Sequence, residues 1–268
     1  MKPRIVFACS GSAENLAAIP KLATAFDAEI VALTLDVGQA RDLEGVRQAA
    51  LAAGAVRAHV LDAREEFARH CIVTSLDEQT PTAYTTGHAL ARPLIARKLI
   101  EIAHIEGGSA IAHGGDRDDQ AEIEEAAHAL DRSIRVIAAH DGAAPDVRRA
   151  VQTTLWERSA DERSGALPKP ELDAPARLEI AFEAGLPVAI NGVPMTLTEL
   201  IESVTTIAAN HGVGRVMDTS GAPLEAPAAV VFQAAHQALG ANASRASGAT
   251  VCLELFKGQH RVLSAQHS

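Results

Sequence analysis

Cysteine is scarce in this chain: Cys9, Cys71 and Cys252 are all there are in 268 residues, far apart and without a Cys-x-x-Cys spacing. That excludes a disulfide framework and a thiolate zinc site, and leaves the three as small buried hydrophobes. Long apolar runs are missing as well. Nothing approaches the run of about 20 residues that crosses a bilayer, and Met1-Lys2-Pro3-Arg4 leads into a strand rather than a signal peptide's hydrophobic segment. The expected location is the cytoplasm, with no membrane partner. No basic cluster interrupts a net charge of −10, which disfavours nucleic acid. The eleven histidines show no ligand spacing, so no structural metal is expected. Small-molecule ligands and protein partners remain.

What the chain does have is 47% hydrophobic content, enough for one large domain or two modest ones. Short apolar runs at Ile5–Ala8, Ile30–Leu35, Ala58–Leu61, Ala110–Ala112 and Val136–Ala138 alternate with helical periodicity, most visibly at Leu43–Ala53 and Leu90–Glu106. The second of these helices carries Leu90, Leu94, Ile95, Leu99 and Ile102 as one stripe. This βαβ succession predicts a mainly parallel sheet with flanking helices. Between Ala143 and Pro175 the pattern gives way to charged, proline-containing sequence, which places the boundary between domains 1–165 and 166–268. Beyond it, strands at Leu178–Phe182 and Pro187–Ile190, helices at Leu197–Asn210 and Ala226–Leu239, and a hairpin of Thr250–Phe256 with His260–Leu263 predict a smaller α+β domain.

In such a sheet a ligand lies beyond the carboxyl ends of the strands, where strand order reverses. Ser10–Asn15, Asp36–Gln39 and His113–Asp116 converge there. Ser10, Gly11 and Ser12 can cradle phosphates through backbone and hydroxyl donors at a helix N-terminus. The same residues also fit an ordinary N-cap. Tyr84, the only tyrosine, reads either as ligand-facing or as cover for a core edge, and Trp156 reads as packing. Asp116, Asp118 and Asp119 can orient an amine or bind Mg²⁺, and equally fit a solvated cap of a helix at Gln120–Leu130. Arg92 reads as a brace for the helix or a loop carbonyl.

Residue order adds a family resemblance. Tyr84-Thr-Thr-Gly-His-Ala-Leu-Ala-Arg-Pro-Leu-Ile-Ala96 is similar to the Tyr-x-x-Gly-Thr-x-Leu-Ala-Arg-Pro signature of argininosuccinate synthases. Ala32–Gln39, Val46–Ala55, Asp62–Phe67, Ala112–Gly114, Asp118–Gln120, Leu155–Ser159, Pro187–Gly192, His211–Arg215, Glu225–Pro227 and Leu255–Gly258 follow in that family's order. The resemblance implies a nucleotide domain of the adenine nucleotide alpha hydrolase-like, ATP pyrophosphatase type, then a synthetase-like α+β domain. It further implies ATP and Mg²⁺ as cofactors and an amino acid as substrate. In that family ATP adenylates the ureido oxygen of citrulline, releasing pyrophosphate, and the amine of aspartate displaces AMP. Carried over by position, Ser10, Gly11, Ser12, Glu14, Asn15, Leu35 and Gly114 bind ATP. Tyr84, His88, Asp118, Asp119, Glu122 and Ser159 line the substrate sites.

The departures from the family pattern are specific. In its Ser-Gly-Gly-x-Asp-Thr-Ser loop, Ser12 replaces the second glycine, Glu14 the aspartate, Asn15 the threonine and Leu16 the last serine. Ser12 carries a Cβ and takes a positive φ less freely than glycine. Pro20 falls inside the expected first helix, where it caps or kinks it. Glu122 stands where an arginine clamps a substrate carboxylate, His88 stands for a threonine, and Leu224 for a tyrosine. The turn after His113-Gly114 is shortened, and the family's oligomer-forming tail is not matched after Ser268, which leaves a homo-oligomer open. Two readings follow: a ligase of this type with altered substrate preference, or a noncatalytic homologue that binds a nucleotide or a protein partner.

Overall fold

The structure is a computed structural model and describes residues 2–39, 42–77, 87–114, 117–139, 154–159, 172–217, 223–240 and 248–267; for residues 71–75, 77, 88, 117–120, 158 and 159 it describes the backbone alone. The chain divides into two compact units, residues 1–63 with 91–150, and residues 64–90 with 151–268. In the first unit, in chain order, lie β1 (Arg4–Ala8), α1 (Ala13–Phe26), β2 (Glu29–Asp36), α2 (Leu43–Ala52) and β3 (Arg57–Asp62). After α3 (Arg64–Asp77), which belongs to the second unit, come α4 (Gly87–Glu106), whose residues up to Leu90 also belong to that unit, β4 (Ala110–His113), α5 (Arg117–Leu130) and β5 (Arg135–Ala138). The strands form one parallel sheet in the order β3-β2-β1-β4-β5.

The apolar runs become strands because a parallel sheet is covered on both faces. β2 is buried at six consecutive positions, Ile30 to Leu35, which is why it reads as an unbroken hydrophobic run. Ile5, Phe7, Ile30 and Ala112 pack with Ile19 and Leu22 of α1 in one cluster. Pro20 lies on the exposed side of α1, next to Lys21, and the helix continues through it to an αL cap at Asp27. α5 starts at Arg117, one turn before the expected Gln120.

The second unit is antiparallel. Its elements are α3, then β6 (Arg158–Ser159), β7 (Ala176–Glu183), β8 (Leu186–Ile190), β9 (Val193–Pro194), α6 (Leu197–Asn210), β10 (Arg215–Met217), β11 (Pro223–Glu225), α7 (Pro227–Leu239), β12 (Ala249–Phe256) and β13 (Gln259–His267). One sheet runs β13-β12-β7-β8-β9, the other β10-β11-β6. β7 and β12 bury alternate residues, Leu178, Ile180 and Phe182 on one and Ala249, Val251, Leu253 and Leu255 on the other, as a sheet with one covered face requires. The tight turns carry positive φ at both central residues: Ala184-Gly185, Asn191-Gly192 and Lys257-Gly258. α6 opens with a reciprocal capping box between Thr196 and Glu199, and Glu65 of α3 accepts from the Thr198 amide at 3.2 Å and its hydroxyl at 3.0 Å. Trp156 is core, 1% exposed. Among the described residues no helix is long and apolar enough to cross a membrane.

Candidate functional site

The strand order places a reversal between β1 and β4: from β1 the chain proceeds outward to β2 and β3, then returns to the other side of β1 as β4. The segments that follow these two strands flank the crevice where α/β sheets of this kind bind ligands. After β1, the Cys9 amide still donates to the Leu33 carbonyl at 2.8 Å, and the Thr34 hydroxyl donates to the Cys9 carbonyl at 2.9 Å. These two bonds fix the base of the loop to β2. Burial pushes the Cys9 thiol up, against a smaller opposing pull from the Gly11 amide hydrogen bond, so the sulfur stays protonated.

Ser10-Gly11-Ser12 then turns into α1. Gly11 takes φ +76°, whereas Ser12 is extended at φ −67° and ψ 155°. The glycine replaced by Ser12 therefore leaves no backbone strain; the turn needs only one positive φ. Ser12 is the N-cap, its hydroxyl accepting from the Asn15 amide at 3.2 Å. Asn15 Oδ1 accepts in turn from the Ser10 amide at 2.8 Å and from the Ser10 hydroxyl at 2.7 Å. The amides of Ala13 and Glu14, first in the helix, have no intrahelical acceptor and point out of its positive end. Glu14 is exposed on this first turn.

Across the crevice, His113 ends β4 and is 1% exposed, its carbonyl accepting from Ala139 at 2.8 Å. Gly114 follows, and a Cβ built on it would lie 2.4 Å from Asn15 Nδ2, so the Asn15 carboxamide is seated directly on this glycine. Leu35, near the end of β2, is 9% exposed, and its carbonyl accepts from Gln39 Nε2 at 2.6 Å. Gln39 Oε1 accepts from the Val37 amide at 2.7 Å and Asp36 from Gly38 at 2.9 Å, which stitches the turn beyond β2. All seven residues expected to bind ATP thus lie on the β1 loop and its helix, on β2 or just beyond β4.

The residues expected on the substrate side belong to several separate elements. Tyr84 lies outside the described residues, as do Asp116 and the Pro168–Pro170 stretch. His88 falls in the first turn of α4, Asp118 and Asp119 in the first turn of α5, and Ser159 in β6, with their side chains outside the description. Glu122 is described. Its Oε2 is 2.8 Å from Arg92 Nη1, joining α5 to α4, with the glutamate side chain 55% exposed and the arginine 9%. Arg92 thus braces a neighbouring helix through a carboxylate. Leu224, at the position of a family tyrosine, is fully buried in β11. Sequence reading missed the Asn15–Gly114 and Arg92–Glu122 pairs, each of which joins positions far apart in the chain. The one sequence signal was that Asn15 and Glu122 both departed from the family pattern.

Comparison with known proteins bears on this arrangement. The arginosuccinate synthase N-terminal HUP domain matches residues 4–152, and the arginosuccinate synthase C-terminal domain matches residues 129–250. An argininosuccinate synthase of Streptococcus suis is 34% identical over 254 residues, 80% of this chain and 64% of the relative. One from Symbiobacterium thermophilum is 34% identical over 89% of this chain and 71% of the relative, and one from Dehalococcoides mccartyi is 34% identical over 89% and 70%. The chain thus spans about two thirds of the length of these relatives, and 64% of the Streptococcus suis protein. A solved NAD+ synthetase from Burkholderia pseudomallei overlaps at a TM-score of 0.30 and 17% identity, covering 41% of this chain and 44% of that one, too slight a superposition to carry an argument.

Proposed function

Because the chain belongs to the argininosuccinate synthase family, we propose that it is an ATP-dependent, AMP-forming ligase joining an amino-acid amine to an activated ureido or carboxyl-type acceptor, with an altered substrate preference. The observation that carries this reading is the crevice between β1 and β4, where the Ser10–Asn15 loop opens α1 opposite Gly114. The free Ala13 and Glu14 amides and the helix dipole suit phosphate oxygens. The reaction asks the protein chiefly to place the acceptor oxygen in line with the α-phosphate and to stabilise charge on the departing pyrophosphate. In the second step the amine attacks the adenylated carbon and AMP leaves.

Among the described residues no group of three His, Cys, Asp or Glu side chains gathers to hold an ion. Mg²⁺ would enter with the nucleotide's own phosphates, whose charge it spreads, with Glu14 as the loop's carboxylate. Tyr84, His88, Asp118, Asp119, Glu122 and Ser159 are assigned to the substrate side. The Arg92 contact cancels the charge of Glu122, so a neutral acceptor suits this position better than an anionic one. Calorimetric titration with ATP-Mg²⁺ should give binding, and pyrophosphate release should appear with some amino-acid pair; no heat at millimolar ATP would sink the reading. In the same assay Glu122→Gln, which leaves the Arg92 guanidinium without this carboxylate, should raise the preference for acceptors bearing a carboxylate several-fold. An unchanged preference would remove Glu122 from the acceptor site.

One observation favours the second reading, a noncatalytic nucleotide-binding homologue. Leu224 is a hydrocarbon side chain that is fully buried, so this position offers an acceptor neither a hydroxyl nor an exposed surface. ATP binding with no pyrophosphate released from any amino-acid mixture would select it.

A further inference from the structure

Asn15 does more at this loop than its place among phosphate-facing residues suggests. It is the third residue of α1, and an N3 side chain ordinarily reaches back to the N-cap amide. Here it reaches two residues further. Its Oδ1 takes the Ser10 amide at 2.8 Å and the Ser10 hydroxyl at 2.7 Å, while its own amide is held by the Ser12 hydroxyl at 3.2 Å. The loop is closed on itself through one side chain. The Ser10 amide is consequently committed to Asn15 and the Ser12 amide to the Ser10 hydroxyl oxygen at 3.4 Å, while the Gly11 amide faces the Cys9 sulfur. The donors this leaves toward the crevice are the amides of Ala13 and Glu14. The other end of the carboxamide rests on Gly114, where even a methyl group would come within 2.4 Å of Nδ2. One side chain therefore fixes both the curvature of the β1 loop and its spacing from the end of β4.

Resting on the ATP reading, we infer that Asn15 is the positioning residue of the nucleotide loop: it binds no phosphate itself, and it holds Ser10 and Gly114 so that the Ala13 and Glu14 amides meet the phosphates. Gly114 is then required as its seat. A threonine at this position is too short to span both partners at once, so this chain has its own solution to ordering the loop.

The test is calorimetric titration of the full chain with ATP-Mg²⁺ and with adenosine, which lacks phosphates, for wild type, Asn15→Ala, Gly114→Ala and the double variant. Two neutral hydrogen bonds predict that Asn15→Ala weakens ATP about tenfold. Adenosine binding should stay unchanged, which a general loss of structure would not produce. Gly114→Ala should weaken ATP by a similar factor in the wild-type background. In the Asn15→Ala background, with the clashing carboxamide gone, it should add nothing, a non-additivity diagnostic of direct contact. Asn15→Asp, whose carboxylate retains both Ser10 bonds, should keep the wild-type thermal midpoint. Wild type that fails to bind ATP overturns the ATP reading and the inference with it. Wild type that binds ATP while Asn15→Ala stays within twofold, or loses ATP and adenosine equally, overturns the positioning role alone. Additive losses in the double variant do the same.

Discussion

Replacing Glu106 by glutamine is expected to cost about 2–4 kcal/mol of unfolding free energy at neutral pH, and to leave a variant whose stability no longer responds to mild acid as the wild type's does. Glu106 is the last residue of α4, where a negative charge opposes the helix dipole, and its side chain is only 1% exposed. Such a carboxylate survives burial only if it is paired. Arg57 Nη1 contacts both of its oxygens at 3.1 and 3.0 Å, His59 Nε2 is 2.8 Å from Oε1, and Arg4 Nη1 is 3.3 Å from Oε2 while also donating to the Glu106 carbonyl at 3.0 Å. Arg4 in turn meets Glu29 at 3.0 Å. The cluster ties the amino ends of β1, β2 and β3 to the end of α4. The expected cost lies toward the low end for a broken buried ion pair because Arg57 is 59% exposed and re-solvates when its partner is lost.

The sign of the pH effect follows from the same contacts. Burial, the largest single influence, pushes the Glu106 carboxyl up; the hydrogen bonds and charges of His59 and Arg57 together outweigh it and hold the group below its ordinary value of 4.5. A depressed folded value means that the stabilisation is complete above the ordinary value and drains away as pH falls through the folded one. Glutamine does not titrate. Urea unfolding across a pH series should therefore show the gap between wild type and Glu106→Gln at its full size at neutral pH and closing only as pH falls below the ordinary carboxyl value of 4.5. A gap independent of pH would mean that Glu106 contributes through packing and not through charge.

Much of the fold was legible because its signals are local. β2 announces itself as an apolar run since both its faces are covered, and α6 combines a capping box with a stripe of Leu197, Leu200, Ile201, Val204 and Ala208. The three glycine turns could be placed from Gly185, Gly192 and Gly258 because a left-handed pair of residues has few acceptable sequences. The sheet β10-β11-β6 could not: strands of three, three and two residues are too short to display alternation, and their pairing spans distant parts of the chain. Nor does any local pattern reveal that residues 64–90 join the later unit, which depends on contacts such as Glu65 to Thr198. The site divides in the same way. A turn opening a helix after the first strand is readable, but the approach of Asn15 to Gly114 beside it, and the ion pair of Glu122 with Arg92 between α5 and α4, each join positions far apart in the chain, and sequence-local reasoning sees neither partner.

Gly11→Ala should disable the β1 loop more thoroughly than any replacement of its polar residues, because two separate penalties fall on one methyl group. Alanine at φ +76° costs about 1–2 kcal/mol through the clash of Cβ with its own carbonyl. The same Cβ would lie 2.6 Å from Val46 Cγ2 and 2.8 Å from Cγ1, an overpacking worth about 1–3 kcal/mol when the neighbour is β-branched and cannot rotate away easily. The two can be separated. Adding Val46→Ala removes both γ-carbons and should recover the steric share of the lost stability, while the backbone share persists. ATP affinity, which depends on loop curvature under the proposed function, should drop at least tenfold in Gly11→Ala and recover only in part in the double variant. Urea unfolding and ATP titration of the three variants, with Val46→Ala as the control, give both readouts. Full recovery in the double variant would show that the loop tolerates a side chain at this φ and that Val46 alone excludes it. No loss in Gly11→Ala would remove the left-handed turn from the requirements of the site, and with it the reason that glycine has to stand between Ser10 and Ser12.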